Sequence, residues 1–153
     1  YFEHFVGGLC DAQKVKLEDC FAHSFCLSAD VTNAFDPNFA DTCDKRNNAQ
    51  LNYGAAICKY TGARGKSGAS DASAEAMGFV RTTLDKAGVI WQIATLGKVD
   101  QGGGGTVAAY MANRNIVTVD AGVPVLSMHA PLELVSKLDC YETMLACKAI
   151  YLA

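Results

Sequence analysis

At 153 residues, half of them hydrophobic and 19% charged, the chain has the size and composition of one globular domain and not of a disordered segment. A net charge of −3 gives no reason to expect a nucleic acid or an anionic membrane as partner. Every apolar run is broken by Gly, Lys or Asp well short of the ~18 residues a membrane span needs, and Tyr1-Phe2-Glu3-His4 lacks the basic-then-apolar order of a signal peptide. The chain opens without an initiator Met, as the middle of a longer protein would. Its seven cysteines are odd in number and form no Cys-x-x-Cys, which argues against a disulfide framework or a cysteine zinc cage. Most lie in apolar runs, where free Cys behaves as a small hydrophobe, and a reducing, cytoplasmic setting is the expectation.

Residues 1–21 read as amphipathic helical material, with Phe2, Phe5, Val6, Leu9, Leu17 and Phe21 on one face. Ser24–Val31 reads as a mostly buried strand carrying Asp30 near its far end. Asn33–Gln50 is polar and is expected to form a long loop, a length that usually marks a functional or mobile segment. A strand over Ala55–Tyr60 leads into a Gly/Ser-rich turn over 61–70. A helix then follows, with Ser70 as its cap, Asp71 and Glu75 at its positive end, and Gly88 as its stop. Ala74, Met77, Val80, Leu84 and Ala87 are expected to face inward from it. Val89–Leu96 is the next strand, and Gly102–Gly105 feed a helix through Thr106, Val107, Tyr110 and Met111. The β-branched run Ile116–Val119 is expected to end at Asp120, with Gly122 and Pro124 breaking it. A second apolar run then delivers His129 ahead of Pro131, read as a helix start, and Asp139–Leu152 closes as an apolar helix. The alternation of strands and helices predicts an α/β sandwich.

Two glycine-rich segments invite nucleotide readings, and both fail on spacing. Gly65-Lys66-Ser67 follows a strand, but the first glycine of a phosphate loop would have to stand where Tyr60 does. In Gly102–Gly105 the third glycine of a dinucleotide fingerprint would fall at Val107 or Ala108. Close approach of backbone to a ligand remains a physical reason for the four glycines, and their amides could face an anion at a helix N-terminus. Ser28, Ser127 and the cysteines sit in no nucleophile elbow. Asp30 and His129 are the informative pair. A carboxylate and an imidazole at strand ends are a usual zinc combination, and both are expected at the same rim of a sheet. Two ligands make half a site; His4 and His23 fall at the wrong end to add a third, and a satisfied loop histidine is the plainer reading of His129.

Four motifs then converge. Leu27-Ser28-Ala29-Asp30 with Pro37-Asn38, Gly104-Gly105-Thr106-Val107, Val119-Asp120-Ala121-Gly122-Val123-Pro124 and Leu126-Ser127-Met128-His129-Ala130 resemble, in order, segments of the aspartyl aminopeptidase and aminopeptidase I family of dinuclear zinc exopeptidases. The resemblance implies a three-layer sandwich around a mixed, mostly parallel sheet, incomplete in this chain, which would be the C-terminal part of a catalytic domain. It implies two zinc ions per complete site (other divalent metals could substitute), Asp30 on one and His129 on the other, and a peptide substrate whose N-terminal residue is removed. It implies substrate contacts from Lys59 (Arg64 or Lys66 in its stead), Gly104, Gly105, Thr106 and Met128, and a homo-oligomer in the full-length protein. The Glu base, the bridging Asp and the other ligands have no match here, so the chain alone is expected to be inactive. Asn33-Ala34-Phe35-Asp36 departs from the family's His-Ala-x-His, which puts a preference for acidic N-terminal residues in doubt. The rival from another class is a non-catalytic anion-binding or assembly module built on the Gly-rich loop.

Overall fold

The computed structural model describes residues 1–61, 70–98, 101 and 103–153. Its elements run α1 (Phe2–Gln13), α2 (Leu17–Ala22), β1 (Phe25–Asn33), β2 (Ala55–Cys58), α3 (Ala74–Ala87), β3 (Trp91–Ala94), α4 (Ala108–Ala112), β4 (Val117–Leu126), β5 (Leu134–Val135) and α5 (Lys137–Tyr151). The strands form one mixed sheet in the order β1-β4-β2-β3, with β5 also on β4. Parallel pairing dominates by length: β1 lies along β4 from Phe25↔Val117 to Asn33↔Val125, and β2 along β3. The β2–β4 and β4–β5 ladders are antiparallel.

Each face of the sheet has its own composition because alternate residues point to opposite sides. Ala55 and Ile57 of β2 and Val119 and Ala121 of β4 pack against Met77, Val80 and Leu84 of α3 and Ala146 of α5, forming the main core. The opposite face carries only a small apolar patch, Ala49, Ala56, Cys58 and Ala94. The 34–50 segment lies over it through Ala49, and Thr106 reaches the same face at Asp120. That segment is shaped rather than open. It contains a 3-10 turn at Pro37–Thr42 capped by the Asp36 side chain, and it returns to the sheet through an Ala34↔Ala49 bridge.

The sequence expectations are corrected in five places. The cap of α3 is Ser73, whose hydroxyl accepts the Ala76 N–H, while the Ser70 carbonyl accepts the Thr61 N–H. Starting the helix later leaves Ala74 in an exposed first turn; Ala87 is also exposed, and the inward set is Ala76, Met77, Val80 and Leu84. Gly88 stops the helix in the left-handed region (φ 69°), as expected. The strand over Ile116–Val119 does not end at Asp120: β4 runs unbroken through Gly122 and Pro124 to Leu126. Pro124 falls between the residues paired with β2 (Asp120–Gly122) and those paired with β5 (Val125 and Leu126). Pro131 starts no helix, because Leu134 and Val135 pair with β4 and Ser136 then caps α5 through the Leu138 N–H. Near the N-terminus Phe2 stacks on buried Phe21 at 5.8 Å, yet Phe5 and Leu9 of the expected apolar face stay exposed.

The fifth correction concerns α5, whose inner face is polar as well as apolar. Asp139 is fully buried and its two oxygens accept the Asn52 and Gly54 N–H groups at 2.8 and 2.7 Å, while Glu142 accepts the Ile90 N–H at 2.9 Å. Two carboxylates of one helix thus hold the entries to β2 and β3. Asp139→Ala should lower stability by about 2–4 kcal/mol, since it strands the buried Gly54 donor and the part-buried Asn52 donor that a charged acceptor satisfied. A urea melt checks this, with Asp139→Asn, which keeps one acceptor oxygen, falling in between.

Candidate active site

Register sets the site. Ser28 pairs with Asp120 and Asp30 with Gly122, while Cys58 of β2 faces Asp120 from the other side. Val119, Ala121 and Ile57 point into the α3/α5 core, so the alternating set Ser28, Asp30, Asp120, Gly122 and Cys58 belongs to the opposite face. Asp30 is exposed there, and one of its oxygens accepts its neighbour Val31's N–H at 2.7 Å. Gly122 is required beside it, because a Cβ at Gly122 would stand 1.3 Å from the Asp30 carbonyl oxygen.

His129 lies just past the C-terminal end of β4. Because β4 runs parallel to β1, this is the same end of the sheet that Asp30 approaches on the neighbouring strand. Its turn is unusual: Ser127 (φ 59°) and His129 (φ 68°) are both non-glycine residues in the left-handed region. Such a conformation is uncommon and persists only where the surroundings hold it. The Ala130 N–H bonds the Ser127 carbonyl at 2.9 Å, and the His129 N–H donates to the Glu133 carboxylate. These bonds leave an exposed imidazole on a fixed turn.

Between the strands sits an acid that the sequence pattern does not single out. Asp120 is 6% exposed, and the Thr106 hydroxyl lies 3.0 and 2.9 Å from its two carboxylate oxygens. Burial pushes its pKa up, nearby hydroxyls of Ser28, Thr106 and Thr61 pull it down, and the charge of Asp30 raises it again. The Ser28 and Thr61 oxygens are buried without a well-formed hydrogen bond of their own. Thr61, with Asp30, Asp120 and Thr106, borders a small cavity of about 10 Å³ lined also by Cys58. Burial there pushes the Cys58 thiol up to about 11, which makes it a packing group and not a nucleophile. By local tendency Asp120 reads as a strand terminator; the apolar residues continuing to Leu126 are the signal that it lies inside the strand.

The remaining candidates are spread more widely. Thr106 joins Asp30 at the cavity, with Gly104 half-buried and Gly105 exposed just before it. Met128 is half-buried in the His129 turn. Lys59 follows β2, which runs antiparallel to β4, so it stands toward the N-terminal half of β4, away from His129. Its ammonium pairs with Asp71. Arg64, Lys66, the Gly65-Lys66-Ser67 segment and Gly102 lie outside the described residues. His4 is exposed on α1, and His23 bonds the Asp19 carbonyl ahead of β1, at the opposite end from Asp30. Among the described residues no three metal-binding side chains converge. What the chain offers a metal is one exposed carboxylate and one exposed imidazole at a common sheet end. That donor chemistry suits zinc, and the set falls short of the three or four ligands zinc takes.

An α/β sandwich with an exposed carboxylate in the second half of one strand and an exposed imidazole just past the end of its parallel neighbour suits a metallohydrolase. Comparison with known proteins gives the family. The model of aminopeptidase I zinc metalloproteases (M18) matches residues 3–151. The probable M18 family aminopeptidase 1 of Borreliella burgdorferi (strain ZS7) is 45% identical over 157 aligned residues, covering 99% of this chain and 34% of that protein. Its counterpart in Clostridium acetobutylicum is 48% identical over 147, covering 94% and 32%. The crystal structure of an M18 aminopeptidase from Thermotoga maritima superposes with a TM-score of 0.92 at 41% identity, over 98% of this chain and 34% of that one. That of aminopeptidase I from Clostridium acetobutylicum gives 0.90 at 45%, over 97% and 32%. The chain belongs to the M18 family of aminopeptidase I zinc metalloproteases, and it spans about a third of the length of the relatives it matches.

Proposed function

We propose that this chain supplies one part of the active site of a zinc aminopeptidase, as the C-terminal portion of the catalytic domain of a longer protein. The observation that carries the proposal is the placement of Asp30 and His129 toward the C-terminal ends of adjacent parallel strands in an M18 chain. Asp30 and His129 would each hold a different zinc ion, with the remaining ligands and the carboxylate base contributed from outside this sequence. When bound, the metal supplies Lewis acidity to the scissile carbonyl and to the attacking water. Gly104, Gly105 and Thr106 present a backbone edge on which a peptide can be laid, Met128 adds an apolar contact beside His129, and Lys59 offers a cation to substrate. Lys59 would have to exchange its Asp71 partner to do so, which makes it the contact with the largest ordering cost.

The rival reading, an anion-binding or assembly module built on the Gly-rich loop, is opposed by two features. The loop rests on the buried acid Asp120, whose charge repels an anion, and α4 beyond it has five residues, too short to build a useful dipole. A cytoplasmic, reducing setting belongs to the proposal and is supported by seven cysteines without a disulfide. So does a homo-oligomer: one solved structure of this fold is described as the S. cerevisiae mApe1 dodecamer.

The test compares two proteins on the same peptides. The longer protein containing this chain should bind zinc and release free N-terminal residues, with activity lost to a chelator and restored by zinc. This chain alone should release none, for want of the base and the other ligands. Robust release by the isolated chain, or chelator-resistant turnover by the longer protein, would overturn the proposal.

A further inference from the structure

We infer that Asp120 is a positioning residue, whose buried carboxylate pins the Gly-rich loop to β4, the strand paired with the one that carries Asp30. The inference rests on the reading that Gly104–Thr106 contacts substrate. A buried carboxylate is normally held by a cation or by backbone amides. Among the described residues the side chain hydrogen-bonded to Asp120 is Thr106 at the end of the glycine run, while the hydroxyls of Ser28, two positions before Asp30, and Thr61, after β2, lie near enough to lower its pKa without a well-formed bond.

The Thr106 bond is the one that fixes a loop. Glycines carry no side chains with which to anchor themselves, and Gly103 adopts φ 105°, so the segment before α4 needs an external tether. Thr106 provides it twice. Its hydroxyl reaches both oxygens of Asp120 and also accepts the Ala108 N–H at 3.2 Å, which sets the first turn of α4. An apolar residue at 120 would fill the space at lower cost, and an amide would offer one acceptor in place of two. The carboxylate is the group that holds a hydroxyl with both oxygens while standing beside Asp30 on the same face. The backbone edge proposed for substrate is thereby kept at a set height above β4, beside the strand that carries Asp30.

Two readouts test this. In this chain itself, Asp120→Asn and Thr106→Val should each speed amide hydrogen exchange over Gly103–Ala108 by about tenfold or more relative to β4, since a tethered loop becomes free to open. Unchanged exchange in both variants would overturn the inference, whatever the enzyme does. In the longer protein the same variants should raise KM for a peptide by about tenfold while kcat stays within about twofold and bound zinc is unchanged. The double variant should be no worse than either single one, because both remove the same tether. KM unmoved with only the melting temperature lowered, or effects that add in full, would show a merely structural role. Failure of the underlying reading looks different: the unaltered longer protein would then lack zinc or peptidase activity while the exchange result stood.

Discussion

Gly122→Ala should abolish the native fold, although it adds a single methyl group. The added carbon would stand 1.3 Å from the Asp30 carbonyl oxygen and 2.4 Å from its carbon, both backbone atoms in the middle of the β1–β4 ladder. A flexible side chain could swing aside; two paired strands can only part. Parting them breaks the longest ladder in the sheet and opens the core behind Val119 and Ala121. The expected loss exceeds about 4 kcal/mol, in the range reserved for severe core lesions, and approaches the roughly 5–15 kcal/mol total of a typical domain. Gly78→Ala is the control. Nothing lies within 4 Å of a Cβ there and the residue sits inside α3, so alanine should be neutral or stabilise by about 0.5–1 kcal/mol. Circular dichroism melts of both variants decide the matter, and a Gly122→Ala melting temperature within a few degrees of the parent would refute it.

In the longer protein, replacing His129 should remove catalysis without unfolding the chain. The choice of substitute matters, because His129 adopts φ 68°. Alanine there adds a backbone cost of about 1–2 kcal/mol that would blur the result, whereas Asn tolerates the left-handed region and is a poor zinc ligand. His129→Asn should therefore keep the melting temperature, keep the backbone bond to Glu133, and lose one zinc ligand. The expected fall in kcat is on the order of 10³-fold or more, as for loss of an element the transition state needs, with bound zinc reduced in proportion. Full zinc content and full turnover in this variant would return His129 to the standing of an ordinary loop residue.

Much of the fold and half of the candidate site are legible in the order of the amino acids. Short apolar runs mark β1, β2 and β3, and the helical spacing of Met77, Val80 and Leu84 marks α3, because burial of one face leaves a periodic trace. Asp30 and His129 stand out by residue type and position. The features that escape share a physical cause. Asp120, Asp139 and Glu142 are charged residues inside elements, and their partners are hydroxyls or backbone amides 14 to 87 residues away in sequence, which no local pattern reveals. Gly122 and Pro124 have the local tendencies of strand breakers, and those tendencies are real; the close approach of Asp30 and the gap between two ladders reverse their meaning. The orientation of β2, which carries Lys59 away from His129, is a property of topology, and a four-residue strand records nothing of its direction.

The strand that carries Asp30 is also the margin of the described sheet. Along its outer side β1 has no partner strand among the described residues, and apart from the Val31 N–H, which the Asp30 carboxylate accepts, its outward backbone groups are open to recruitment by another chain. From Phe25 to Asn33, Asp30 is the one formal charge, and a charge within such a run opposes strand-by-strand self-association. Asp30→Ala would then do two unrelated things at once, withdrawing a metal donor and removing a guard against aggregation. Precipitation of that variant would report on the exposed margin of the sheet, and the metal question would have to be put to Asp30→Lys, which discards the ligand and keeps a charge in place.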